Sequence, residues 1–160
     1  LVAILIGALW NAHLTRKRDK LLRQEEVSAL RAALAGELAA AMELTAGRLF
    51  QVGTVGNGLS GPMLQALKPP DLVLWPKLCD RLGWLDGALA AQVIKAFSLL
   101  EWQMCVLRAC VDEAAQGNFD GPRNRRRREM FARDMRMWKQ TIAALGGELP
   151  EGLLLPEYGV

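Results

Sequence analysis

Leu89, Val93, Phe97, Leu100, Met104, Leu107 and Val111 follow one another at steps of 4, 4, 3, 4, 3 and 4 residues. Threes and fours in alternation put all seven side chains on one side of an α-helix. Held over several turns, they make the packing seam of a helical bundle or coiled coil. A strand cannot present this set, because its faces alternate at every residue. The surrounding composition agrees. Aromatics are only 6% of the 160 residues, five of them Trp and one Tyr, whereas a sandwich or barrel draws on many more β-branched and aromatic residues. The length suits a single domain with a core that needs no disulfide.

Start and stop signals bracket this seam. Asp86 caps a helix that runs from about Gly87 to Gln116, and Gly117-Asn118 ends it. Asp120-Gly121-Pro122 opens the next helix, which reaches about Leu145 with Phe131, Met135, Trp138, Ile142 and Leu145 spaced by 4, 3, 4 and 3. Gly146-Gly147 closes it. Earlier in the chain, Val27, Leu30, Leu34, Leu38, Ala41 or Met42, Thr45 and Leu49 form one apolar face of a long helix from Leu14, and Gly47 begins its end. Residues 51–70 read as a Gly/Pro-rich linker without a phosphate-binding spacing. Asp71 is placed to cap a short helix from Leu72 to Leu82, kinked or restarted at Pro76. Residues 71–145 make up the bundle, and residues 146–160 an extended tail pinned by Leu153–Leu155.

The first ten residues, LVAILIGALW, carry no charge. As a helix they cover about 15 Å, half of a ~30 Å hydrocarbon layer. The expectation is the inner half of a transmembrane helix over residues 1–13, cut at its outer end, with Trp10 and His13 at the headgroup level. Arg16, Lys17, Arg18 and Lys20 form the cationic flank that faces the cytoplasm. The order of charge and apolar run is the reverse of a signal peptide. The fold class that follows is all-α. A truncated transmembrane helix continues into a long helix, which packs with two further long helices and one short helix as a helical hairpin bundle.

A net charge of +3 hides segregation. Residues 16–23 hold five basic and one acidic side chain, and residues 123–139 hold eight basic and two acidic on an otherwise acidic body. Arg123, Arg125, Arg126, Arg127, Arg128, Arg133 and Arg136 spray around most of their helix, with Arg125, Arg128 and Arg136 near one face. Such a cluster suits the anionic inner leaflet of a bilayer, an acidic protein partner, a nucleic acid, or no partner beyond water. The apolar first residues favour lipid and protein. No recognition-helix, zinc or RNA-binding signature accompanies the arginines.

Chemistry is hard to assemble from this chain. His13 is the only histidine, which removes the Ser-His-Asp and Cys-His nucleophile systems and most zinc sites. Cys105 and Cys110 point about 140° apart on one helix, so they neither clasp a metal nor form an easy disulfide. With Cys79 they read as three buried, reduced thiols of a cytosolic compartment. Glu25-Glu26 and Asp112-Glu113 read as solvated faces. No enzyme, metal or cofactor is expected.

Asn11, Arg16, Arg18 and Asp19, followed by Pro70 and Leu82-Gly83-Trp84-Leu85, resemble a pattern in a loose group of uncharacterised bacterial single-pass membrane proteins with a cytosolic helical domain. The resemblance spans residues 1–110 and implies topology only: bacterial inner membrane, single pass, bulk of the chain cytoplasmic. The function expected is a non-enzymatic assembly subunit. Its partners would be the bilayer, and a protein or second copy gripped through the seam from Leu89 to Val111. The alternative is a membrane-tethered nucleic-acid-binding protein that uses the Arg-rich helix.

Overall fold

The computed structural model describes residues 2–55 and 60–148, and for residues 2–9 the backbone alone. The chain is all-helical, with no strand among the described residues. Helix α1 spans Val2–Val55, α2 Gly61–Ala66, α3 Trp75–Leu78, α4 Gly87–Ala115 and α5 Gly121–Ala144, and a 3-10 turn covers Cys79–Trp84 between α3 and α4. Among the described residues no helix is long and apolar enough to cross a membrane. Of the expected tail at residues 146–160, positions 149–160 with Leu153–Leu155 lie outside the described residues, as does part of the expected linker.

The two later long helices start and stop where their signals stand. Asp86 accepts a hydrogen bond from the backbone N–H of Leu89 at 2.9 Å, and Asp120 accepts one from that of Arg123 at 3.2 Å. Each caps donors that the first helical turn leaves unpaired. At the other ends Gly117 and Gly146 adopt φ of 71° and 81°. There Asn118 N–H returns to the Glu113 carbonyl and Gly147 N–H to the Ile142 carbonyl, both at 2.9 Å. Glycine takes this left-handed turn at little cost, and the returning bonds satisfy the last carbonyls.

Helix α1 does not end near Gly47. It continues through Gly53 to Val55, because Leu49 and Val52 are buried in the core and hold the last turns in place. Packing of this kind outweighs the roughly 1 kcal/mol that each helical glycine costs. Gly53 is also a contact point. A Cβ there would lie 2.8 Å from Asn124 Nδ2 and 3.0 Å from Arg128 Cζ on α5. Of the two forms expected for the helix from Leu72 to Leu82, the structure has the restart at Pro76: α3 begins at Trp75, with Pro76 in its first turn, and tightens into the 3-10 turn.

These contacts fix the directions of the helices. Gly53 meets the start of α5, while a Cβ at Gly147, just past its end, would lie 2.6 Å from Ala35 Cβ. So α5 runs antiparallel to α1. Across α4 and α5, Trp138 Nε1 donates to the Ala96 carbonyl at 2.9 Å, Gln103 Nε2 to Asp134 at 2.8 Å, and Arg127 to Glu113 at 2.7 Å. That pair is antiparallel too. The core between the three helices holds Leu34, Leu38, Met42, Leu49, Phe97, Leu100, Leu107, Trp138 and Ile142.

The short elements between α1 and α4 are held by α1. The Glu37 carboxylate accepts three backbone N–H groups, from Val73 (2.5 Å) and Leu74 (2.6 Å) on Oε1 and from Trp75 (2.5 Å) on Oε2. A side chain of α1 thus does the capping expected of Asp71. Arg48 adds a bond to the Lys68 carbonyl. Trp75 then stacks flat on Phe97, ring centroids 4.3 Å apart, and packs against the core partly buried.

Candidate interaction surfaces

The bundle begins only at Val27. Every residue from Trp10 to Glu26 is exposed, including Leu14, Leu21 and Leu22. About 25 Å of α1 therefore projects bare from the bundle. Trp10 is 65% exposed with the His13 ring 6.4 Å away, and Arg16, Lys17, Arg18 and Lys20 surround the same stretch. Because α5 is antiparallel, the arginines at its start, up to Arg128, lie beside the opposite end of α1 from its cationic flank. From Arg18 to Gly53 the helix rises about 50 Å. The cationic flank of α1 and the arginines at the start of α5 therefore lie toward opposite ends of α1. With α1 standing upright from a bilayer, both cannot touch the same surface.

The arginine cluster divides by depth. Arg127 is turned inward, its side chain only 18% exposed, and its guanidinium grips Glu113 with Nη1 on Oε2 at 2.7 Å and Nη2 on Oε1 at 2.9 Å. Arg123 reaches the same carboxylate at 3.3 Å and Asp120 at 3.8 Å. Arg127 is the chief reason that the Glu113 carboxyl sits below its usual range. Glu113 is therefore an ion-pair residue, not the solvated acid expected. Arg128 is half-buried against Gly53 and so leaves the face expected for it beside Arg125 and Arg136. Arg125, Arg126, Arg133 and Arg136 remain exposed.

Behind this pole lies a small polar contact. Cys110 Sγ faces Asn124 Oδ1 at 3.4 Å and receives Arg127 Nη1 at 3.2 Å. Burial pushes the thiol up, and Arg127 counters only part of that, which keeps the sulfur protonated and unreactive. Only Cys110 is buried: Cys79 and Cys105 are exposed, against expectation, because both fall on the outer side of their helices.

The α4 seam is filled from within the chain. Leu89, Val93, Phe97, Leu100, Leu107 and Val111 are buried against α1 and α5. Met104 stands half out, and Gln103 takes the buried place by bonding Asp134. The seam is therefore no free grip for a partner or a second copy, which must use another face.

An open cleft of about 440 Å³ lies between the 68–71 stretch and α4, lined by Lys68, Asp71, Arg108 and Asp112 with Pro69 and Val111. Its charges balance. Among the described residues no group of three or more His, Cys, Asp or Glu side chains is placed to hold a metal ion. Comparison with known proteins finds no match: no family model, no curated protein sequence and no solved structure aligns significantly with this chain.

Proposed function

We propose that this protein is a non-enzymatic helical interaction subunit, tethered at the N-terminal end of α1 to the bacterial inner membrane, with its bundle on the cytoplasmic side. In this reading the apolar residues before Trp10 enter the bilayer as part of a single-pass anchor, and Arg16, Lys17, Arg18 and Lys20 meet the anionic headgroups. The bare stretch of α1 is a stalk that holds the bundle off the surface. The observation that carries the proposal is the separation of the two basic clusters: a solvent-exposed cationic rod at one end of α1, and at the other the start of α5 with exposed Arg125 and Arg126, about 50 Å away along α1.

Chemical cross-linking in native membranes tests it. The expected result is a stable homo-oligomer or one recurring protein partner. A strictly monomeric protein without a recurring partner would sink the interaction role. Recovery of the full-length protein in the soluble fraction would sink the tether. The second reading, nucleic-acid binding, is favoured by one observation: Arg125, Arg126 and Arg136 are exposed, and no ion pair joins them to an acid among the described residues. Titration with DNA and RNA at two salt concentrations decides it, since a phosphate-led complex weakens steeply with salt.

A further inference from the structure

The outer face of α5 has an order of charges, not merely a sign. Taking 100° per residue, Arg125, Arg126, Glu129, Arg133 and Arg136 fall within an arc of about 100°, opposite the buried Phe131, Met135 and Trp138. All five are exposed. The other acid of the stretch, Asp134, is drawn inward by Gln103 and keeps a side-chain exposure of 12%, with Arg133 Nε at 3.5 Å. What faces solvent is therefore two cations, one anion and two cations over about 17 Å of helix.

We infer that this face docks an acidic protein segment of reciprocal charge order, in which carboxylates flank one central cation. A phosphate backbone or an anionic leaflet offers only negative charge, and would meet Glu129 with repulsion in the middle of the contact. A protein segment can place a Lys or Arg there. Its carboxylates suit the forked guanidinium groups on either side, which take them bidentately. A second copy of this chain is a poor occupant. Asp19, Arg23 and Glu26 carry an acid–base–acid order on the bare part of α1, but Arg16, Lys17, Arg18 and Lys20 beside them would be brought against the α5 arginines.

The inference rests on the interaction role proposed above and names its surface. The test uses the full chain in mild detergent with three probes. The first is a helical peptide presenting Glu, Lys and Glu at three- and four-residue spacing. The second is the same peptide with Glu in place of Lys, and the third a short DNA duplex. The Lys-containing peptide should bind about 3- to 5-fold tighter than the all-Glu peptide, the scale of one well-placed charge pair. Glu129→Gln should erase or reverse that order. Changing Arg125, Arg126, Arg133 and Arg136 to Gln should abolish peptide binding without lowering Tm, and if that variant fails to fold, Glu129→Gln alone still decides. Tighter binding of the all-Glu peptide, tighter binding of the DNA, or no binding at all would overturn the inference. In native membranes, a partner captured equally by the quadruple variant removes α5 as the surface but leaves the interaction role standing. Capture of no partner at all removes that role.

Discussion

Helix α1 is one uninterrupted helix with two kinds of residue environment. From Val27 to Val55 it is the spine of the bundle: Leu34, Leu38 and Met42 are fully buried, Glu37 ties down α3, and Gly53 lets α5 come close. From Trp10 to Glu26 every residue is exposed. The sequence of this part is as helix-prone as that of the embedded part, so local propensity does not separate them. Tertiary contact does. An isolated helix of 17 residues is marginal in water, and its order here depends on continuity with the embedded half. The embedded half should answer for stability, and the bare half, in the proposed function, for attachment.

Leu38→Ala is the strongest blow to the embedded half. Leu38 is fully buried in the core, and its loss should cost about 3–4 kcal/mol, the sum of lost transfer and a residual cavity. For a chain of this size that is a fall in Tm of roughly 6–16 °C. Thermal unfolding followed by circular dichroism gives the value. A cost under 1 kcal/mol would mean that the α1 stripe is not the core it is taken to be.

Glu37→Ala comes next, at about 2 kcal/mol. The substitution leaves three N–H groups of residues 73–75 without their acceptor, but water can replace part of what is lost because the site is not deeply buried. The damage should be local. Hydrogen exchange should speed up most over residues 73–84, with α4 and α5 nearly unchanged. Uniform loss across the bundle would contradict a capping role.

Both embedded features differ in how far they could be read from the sequence. Leu38 belongs to a periodic stripe, so its burial follows from spacing alone. The same holds for the caps at Asp86 and Asp120 and the stops at Gly117 and Gly146, where the signal and its effect lie within five residues. Glu37 lies 36 residues from Val73, and nothing local marks a single glutamate as a cap for a distant segment. Gly47 and Gly53 misled for the opposite reason: their local signal is real, but burial of Leu49 and Val52 overrides it. The arginines were legible as a charge and illegible as a surface. Only the packing of α4 on α5 separates Arg127, clasped by Glu113, from Arg125 and Arg126, which face water. The α4 seam was legible as packing, but the periodicity could not say that its partners are α1 and α5 of the same chain.

The smallest expected effect is in the bare half, and there a null result is the informative one. Leu14, Leu21 and Leu22 are all exposed by about half. Changing the three to Gln removes apolar side chains that touch no core, so each should shift stability by no more than about 0.5 kcal/mol. Helix propensity changes little, since Gln ranks close to Leu. The unfolding midpoint of the bundle should stay where it is. Amide exchange over residues 10–26 should be fast in both proteins, because the helix there opens by fraying without unfolding anything else. A clear loss of stability would mean that these leucines are covered by a partner, or by another part of the chain, under the conditions of measurement. It would break the division of α1 into spine and stalk. If stability holds but membrane recovery or cross-linking yield falls, the leucines belong to the attachment that the exposed rod is proposed to make.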